Sequence, residues 1–175
     1  MLDGAEHVLR EGGYGALTSR RVADHIGVKQ RLVYYYFATM DDLIVETFKR
    51  LAIRELDRLA QALASQHPLQ AAWAVFAETT DTRLVSEFMA LANRSEPLRK
   101  EVKKYILKTR KMQVSALSEA AARSGPGEPL PPIVAVIFAT SAALLLHREA
   151  ALGIRSGHAE TVAIIEQFIA AHGRL

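Results

Sequence analysis

The chain has 175 residues, of which 50% are hydrophobic and 23% are charged, a balance typical of folded globular domains. It contains no cysteine, which excludes disulfide bonds, thiolate metal sites and a cysteine nucleophile. The formal net charge of +3 is too small to indicate a nucleic-acid partner by itself. The first residues lack the layout of a signal peptide, because Asp3, Glu6 and Arg10 interrupt them at helical spacing, so we expect a cytoplasmic protein.

Apolar residues recur at helical spacing almost throughout, and no strand-like alternation extends beyond a few residues, which predicts an all-α fold. The first helix should end at Gly12-Gly13, and the second should run from about Ser19 to Ile26, where Gly27 ends it. The third should end near Phe37. Thr39 and Asp42 then form a capping-box-like start for a long fourth helix that reaches about Ala64.

Five further helices are predicted at about residues 68–79, 82–93, 97–123, 133–152 and 158–172, with one long loop at 124–132. The fold class is therefore all-α with about nine helices: a three-helix head at residues 1–38 and a six-helix body at 39–175. The most apolar run, 133–146, has 14 residues. Because a membrane span needs roughly 20 residues, this run predicts a buried helix and no membrane partner.

The segment from Ser19 to Ala38 has the pattern of a helix-turn-helix. Ala23, Gly27 and Val33 stand at its fifth, ninth and fifteenth positions. A small side chain suits the crossing of the two helices, and glycine accepts the positive φ that the turn requires. The common residue types make this three-position match weak by itself, since two packed helices that bind no DNA could show it as well.

Polar residues around this segment strengthen the DNA-binding interpretation. The second helix would present Lys29, Gln30 and Arg31 at its leading end, where such helices meet base edges in the major groove. Arginine pairs naturally with guanine, and glutamine pairs with adenine. Tyrosine hydroxyls in the run 34–36 can hold phosphate oxygens without reading the base sequence.

The stretch from Ala5 to Leu43 resembles the DNA-binding head of the TetR family of one-component transcriptional regulators. The residues that carry the resemblance are Ala5, Glu11, Gly12 or Gly13, Tyr14, Thr18, Val22, Ala23, Gly27, Val28, Val33, Tyr34, Tyr36, Phe37 and Leu43. The resemblance implies that the first three helices bind DNA and that the rest of the chain forms a homodimer and binds a small effector.

Site residues follow from the resemblance by position. The residues expected near bases are Arg20, Lys29, Gln30 and Arg31, and those expected at phosphates are Thr18, Ser19, Tyr34 and Tyr36. Three positions depart from the family pattern. Lys29 replaces the usual capping Ser or Thr, which costs on the order of 1 kcal/mol. Arg31 replaces a small residue, and Met40 replaces a lysine.

Broad apolar stripes on the last two helices indicate a dimer interface, although an internal core alone could also account for them. The residues expected at the interface are Ile137, Leu144, His147, Ala151, Ile165, Phe168 and Ile169. An apolar effector pocket is expected among helices five to eight, with plain core packing as the alternative. The residues expected to line it are Trp73, Phe76, Phe88, Met89, Tyr105, Met112 and Phe138.

Catalytic and metal sites are not expected. The six histidines are scattered, with no pair at i, i+4 and no HExxH spacing, so we predict no metal, no cofactor and no enzymatic activity. The sequence favours a homodimeric repressor that a small apolar effector releases from a palindromic operator. The alternatives are a helical ligand-binding or interaction module with impaired DNA binding, and an activator or a sequence-tolerant DNA binder.

Overall fold

A computed structural model describes residues 1–77, 82–124 and 130–172. Over these ranges the chain forms nine α-helices, one short 3-10 turn and no strand, which confirms the all-α prediction. The helices are α1 (Leu2–Gly12), α2 (Ser19–His25), α3 (Arg31–Tyr36), α4 (Met40–Leu63), α5 (Pro68–Ala77), α6 (Thr82–Ala92), α7 (Glu96–Ser124), α8 (Pro132–Ala151) and α9 (His158–His172), with the 3-10 turn at Tyr14–Ala16.

The helix boundaries follow local sequence signals. At the start of α4 the predicted capping box is present: the Asp42 amide donates to Thr39 Oγ1 (3.1 Å), and the Thr39 amide donates to Asp42 Oδ2 (2.9 Å). Pro68 and Pro132 each begin a helix, where a missing amide hydrogen costs nothing. The predicted end of the fifth helix at residue 79 and most of the loop at 124–132 lie outside the described residues.

The chain divides into two compact units, Met1–Glu55 with Asp81–Ile106 and Leu56–Thr80 with Leu107–Leu175. The first unit includes α6 and the beginnings of α4 and α7 as well as the predicted three-helix head. Three short helices offer too little apolar surface for a core of their own, which explains why the first unit extends past residue 38. The predicted boundary between functional domains at 38/39 stays a prediction.

The core of the first unit joins the short helices to longer ones. Phe48 of α4 packs edge-on against Phe88 of α6 and Tyr105 of α7, with ring centroids 5.2 and 6.0 Å apart. Leu84 and Leu98 are fully buried in the same cluster as Ala5, Leu9 and Val22. Burial of these side chains holds the DNA-binding candidate residues on a rigid base.

The core of the second unit is formed by Leu69 and Trp73 of α5, Leu117 of α7, Val136 of α8 and Ile169 of α9. α8 is buried less than predicted. Its 20 residues are long and apolar enough to cross a membrane by length and composition, yet only 11% of its most apolar window is buried within the chain. The prediction of a buried helix is therefore wrong for the single chain, because α5 and α9 cover only one side of α8. The absence of a membrane partner stays a prediction.

Candidate DNA-binding surface and effector cavity

The turn between α2 and α3 is a Schellman motif centred on Gly27. The Val28 amide donates to the Ala23 carbonyl (3.0 Å), and the Gly27 amide donates to the Asp24 carbonyl (3.3 Å). Gly27 has a φ of +72°, a conformation that costs a residue with a Cβ atom. Ala23 and Val33 are buried where the two helices meet. The helix-turn-helix geometry predicted from these three residues is therefore present.

The leading end of α3 is exposed to solvent. Lys29, Gln30 and Arg31 all lie at the surface, as their predicted role near bases requires. No side chain caps α3, in agreement with the missing Ser or Thr at position 29. Arg20 lies 3.8 Å from Asp24, and both side chains are largely exposed. Such an exposed ion pair contributes little free energy, so Arg20 can leave Asp24 and turn toward DNA.

Three of the four predicted phosphate contacts are accessible. Thr18 is exposed at the N-cap of α2, where its Oγ1 accepts a hydrogen bond from the Arg21 amide (3.2 Å). Tyr34 and Tyr36 are exposed on α3. Tyr35, which the sequence analysis did not include among the site residues, is 78% exposed and packs edge-on against Tyr36. Its exposure indicates a further candidate for contact with DNA.

Ser19 does not fit its predicted role at a phosphate. Its side chain is buried, with 4% exposure. Its Oγ accepts a hydrogen bond from Gln30 Nε2 (2.8 Å) and donates one to Tyr34 Oη (3.1 Å). The hydroxyl is therefore occupied within the protein, because α2 and α3 cross at this position.

A buried carboxylate fixes α1 to α4. Glu6 is 4% exposed and accepts hydrogen bonds from Arg50 (2.7 Å) and Arg54 (2.8 Å), while Arg10 lies 3.3 Å away. Burial acts to raise the pKa of Glu6, but hydrogen bonds and charge attraction from Arg54 and Arg50 outweigh it and lower this pKa below its usual value. The sequence carries no signal for this group, because one glutamate on an amphipathic helix predicts a solvated side chain.

A second carboxylate supports the loop between α1 and α2. Glu87 of α6 accepts a hydrogen bond from the backbone amide of Tyr14 (3.0 Å). At neighbouring Gly13, which has a φ of +66°, an added Cβ would lie 2.8 Å from Glu87 Oε1. The glycine therefore permits both the turn and the close approach of α6.

The residues predicted to line one effector pocket lie in several separate parts of the structure. Trp73 and Phe76 line a cavity of about 90 Å³ in the second unit. Phe88, Met89 and Tyr105 instead belong to or pack against the core of the first unit, so their assignment to the pocket is wrong. The reason is that helical periodicity identifies a buried face without identifying the helices that cover it.

Met112 is partly buried and does not line the cavity. Phe138 is 61% exposed and lines a more open groove of about 290 Å³ beside Ile164 and Phe168. Neither Met112 nor Phe138 is among the residues that line this cavity, and their assignment to an effector pocket stays a prediction. The cavity is lined by Leu63, Leu69, Ala72, Trp73, Phe76, Gln113, Leu117, Ala135, Val136, Ala139, Thr140, Ile165, Phe168 and Ile169. No charged side chain is among them.

Three of the predicted interface residues lie on exposed surface of α8, namely Ile137, Leu144 and Ala151. The others face inward to different degrees. His147 Nε2 forms a hydrogen bond with the Phe76 carbonyl (2.8 Å), and Ile169 is buried in the core of the second unit.

Ile165 and Phe168 line the cavity. Together with the buried Ile169, they therefore offer less surface to a partner subunit than predicted. Ile164 belongs to the apolar stripe of α9, although it is not among the residues assigned to the interface, and it is 67% exposed. Among the described residues, no group of three or more His, Asp or Glu side chains is placed to hold a metal ion.

Residues 1–47 match the family model described as bacterial regulatory proteins, tetR family. This range contains the helix-turn-helix and the start of α4, including the capping box. No curated protein sequence matches the chain. The match confirms the resemblance that the residues from Ala5 to Leu43 indicated.

Solved structures match nearly the whole chain. A TetR transcription regulator from Haloarcula marismortui is similar with a TM-score of 0.76 and 20% identity, covering 98% of this chain and 93% of its own. A putative transcriptional regulator from Saccharomonospora viridis in complex with choline has a TM-score of 0.78 and 12% identity, covering 97% and 91%. The SmeT–triclosan complex has a TM-score of 0.70 and 18% identity, covering 97% and 88%. The N-terminal part of the chain therefore matches the tetR family of bacterial regulatory proteins, and nearly the whole chain has the fold of these solved structures.

Proposed function

We propose that the protein is a cytoplasmic repressor that binds a palindromic operator as a homodimer and leaves it when a small, neutral, apolar molecule binds the second unit. The observation that carries the proposal is the exposed tip of Lys29, Gln30 and Arg31 on a helix-turn-helix with a Schellman turn. A recognition helix presents its N-terminal residues to base edges in the same way.

The dimer is proposed from the uncovered surface of α8. Ile133, Ile137, Phe138, Leu144 and Leu145 are large apolar residues, and each is more than a third exposed. Ile133 and Ile137 are four residues apart, and the pairs 137/144 and 138/145 are seven residues apart, so these side chains share one broad side of the helix. An exposed apolar face of this size indicates a partner surface. A palindromic operator requires two recognition helices about 34–36 Å apart, the distance between successive major grooves, and a second copy would supply the second helix.

The class of effector is proposed from the cavity lining. Gln113 and Thr140 are the polar residues in an otherwise apolar set, so the cavity suits a neutral molecule with one hydrogen-bonding group. A drug-sized ligand fills roughly 300 Å³ or more, and the cavity encloses about 90 Å³. Such a ligand would have to displace side chains, so it would bind an expanded conformation of the second unit more tightly than the present one. A ligand that prefers one conformation shifts the protein toward it. Among the structural relatives, one is bound to triclosan and another to choline.

DNA binding is tested with a duplex that the wild-type protein selects from a randomised pool, compared with a scrambled duplex. Arg31→Ala should lower the preference for the selected duplex by about 10- to 100-fold, because a good arginine–base contact is worth about 1–3 kcal/mol of discrimination. The slope of affinity against salt should change little. Tyr36→Phe should weaken binding to both duplexes alike, since a phosphate contact carries no sequence information.

The matched control for this measurement is Arg155→Ala, because Arg155 is exposed in the loop between α8 and α9 and should leave both affinities unchanged. Equal binding of Arg31→Ala and wild type to the selected duplex would contradict the assignment of Arg31 to base recognition. A wild-type protein that ignores duplex DNA at low salt would favour the second candidate, a ligand-binding module with impaired DNA binding. The uncapped start of α3 is the observation in favour of that candidate.

Effector binding is tested by thermal unfolding with phenol, triclosan or choline. Phenol and triclosan should raise the unfolding temperature, because ligands that bind only the folded state stabilise it. Choline should raise it less, because its charge would lose water without a charged partner among the lining residues. Ala139→Leu places three extra carbon atoms in the cavity and should abolish the shift. Ala159→Leu, at an exposed position of α9, serves as the control. A shift that persists in Ala139→Leu would place the binding site elsewhere.

A further inference from the structure

Three side chains at the crossing of α2 and α3 form a continuous hydrogen-bonded chain. Gln30 and Tyr34 lie one helical turn apart on the same side of α3, and Ser19 of α2 lies between them. Ser19 Oγ is 2.8 Å from Gln30 Nε2 and 3.1 Å from Tyr34 Oη. Because the Ser19 side chain is buried, water competes little for its hydroxyl.

The protons of this chain fix the orientation of the glutamine amide. A serine hydroxyl has a single proton, and Ser19 gives it to Tyr34 Oη. Gln30 Nε2 lies 2.8 Å from Ser19 Oγ, so this oxygen accepts from the NH₂ group of the amide and does not face its carbonyl oxygen. Gln30 keeps one N–H and its carbonyl oxygen for other partners, and Tyr34 keeps its own O–H.

The groups that remain match adenine. In the major groove adenine offers N7 as an acceptor and the N6 amino group as a donor, whereas guanine offers two acceptors, N7 and O6. An amide presenting one N–H beside one C=O pairs with adenine through both atoms. Against guanine its carbonyl oxygen would face O6, which is also an acceptor. A freely rotating glutamine could turn its NH₂ group toward guanine, but an amide held by Ser19 cannot do so without losing that bond.

We propose that Ser19 is a positioning residue that orients Gln30 to read adenine and links this reading to the phosphate contact of Tyr34. This inference rests on the proposed DNA-binding function. The Tyr34 hydroxyl accepts from Ser19 and has its own proton free for a phosphate oxygen, so the phosphate contact and the base contact lie at opposite ends of one chain. Each bond in such a chain strengthens its neighbours.

The test compares wild type, Ser19→Ala and Ser19→Thr on the duplex that wild type selects from a randomised pool. Each adenine of the half-site is replaced in turn by 7-deazaadenine, which lacks the N7 acceptor. At one position wild type should lose about 10-fold in affinity, the scale of one good base contact. Ser19→Ala should lose less than about threefold there, and Ser19→Thr, which restores the hydroxyl, should behave like wild type. Ser86→Ala, at an exposed position of α6, is the matched control.

Affinity of Ser19→Ala for a scrambled duplex should stay within about threefold of wild type, since phosphate contacts from the other residues remain. Equal loss at every position and on scrambled DNA would overturn the inference, because it would show a general structural role. An unchanged penalty for 7-deazaadenine in Ser19→Ala would overturn it too. If the wild-type protein selects no duplex from the randomised pool, both the regulator assignment and the role of Gln30 in recognising adenine would be overturned.

A measurement on the free protein separates these failures. In NMR spectra of the full chain, the side-chain amide of Gln30 should be more restrained than that of Gln61, which is exposed on α4. This restraint should disappear in Ser19→Ala and persist in Ser19→Thr. A Gln30 amide as mobile as that of Gln61 in wild type would overturn the inference whether or not the protein binds DNA.

Discussion

Replacing Leu144 with glutamate is expected to split the proposed dimer into monomers and to lower affinity for a palindromic operator by at least about 100-fold. Leu144 is 53% exposed in the single chain, so the carboxylate is hydrated in the monomer and the fold should survive. In a two-fold interface the substitution occurs twice, and each charge would lose its water without gaining a partner. Each monomer would then hold only one half-site.

Sedimentation velocity gives the oligomeric state of this variant, and fluorescence anisotropy gives its operator affinity. The matched control is Leu107→Glu on α7, which has a similar exposure of 52% and lies outside α8 and α9. It should remain dimeric. A Leu144→Glu protein that stays dimeric at micromolar concentration would remove the exposed face of α8 from the interface, and a wild-type protein that is monomeric would contradict the dimer proposal itself.

Replacing Glu6 with glutamine is expected to lower the free energy of unfolding by about 2–3 kcal/mol at pH 7, because removal of one partner from a buried ion pair leaves the others uncompensated. The arginines are partly exposed and regain some hydration in the variant, so the expected loss of stability is smaller than for a fully buried ion pair. Urea denaturation at a fixed protein concentration measures the effect. Glu46→Gln is the control, since the pair of Glu46 with Lys49 is exposed and is worth less than about 1 kcal/mol.

The effect of Glu6 should depend on pH in a defined direction. Its pKa is lower in the folded state than its usual value of 4.5, so the unfolded chain binds this proton first as the pH falls. The stabilisation is therefore complete above about pH 4.5 and is lost as the pH falls below it, through the folded pKa. The difference between wild type and Glu6→Gln should shrink over the same range. A difference that stays constant down to the acid transition would contradict an ionised Glu6.

The elements predicted correctly from the sequence are those specified by residues close together in the chain. The end of α2 is closed by the Gly27 amide bonding to Asp24 and the Val28 amide bonding to Ala23, and Thr39 caps α4 through Asp42. In each case the partners are at most five residues apart, so the local sequence contains all the chemistry needed. The same holds for the exposed tip of Lys29, Gln30 and Arg31, whose position follows from the turn that precedes it.

The predictions that failed depend on which helices meet. Phe88 and Tyr105 have the spacing of buried residues, and both are at least partly buried, but they pack against Phe48 and not around a ligand cavity. Nothing in the sequence around Ser19 predicts its burial. Its hydroxyl can be buried because Gln30, on the other side of the turn, donates a hydrogen bond to it. Glu6 looks like an ordinary surface charge until α4 brings two arginines to it.

The sequence by itself determined the nine helices of the described ranges and the helix-turn-helix, since capping bonds, glycine turns and apolar periodicity act over a few residues. Only the tertiary structure decided which residues line the cavity, that Glu6 and Ser19 are buried, and that one side of α8 is uncovered. These features arise where distant segments remove one another from water, and periodicity records that a face is buried without naming the segment that covers it.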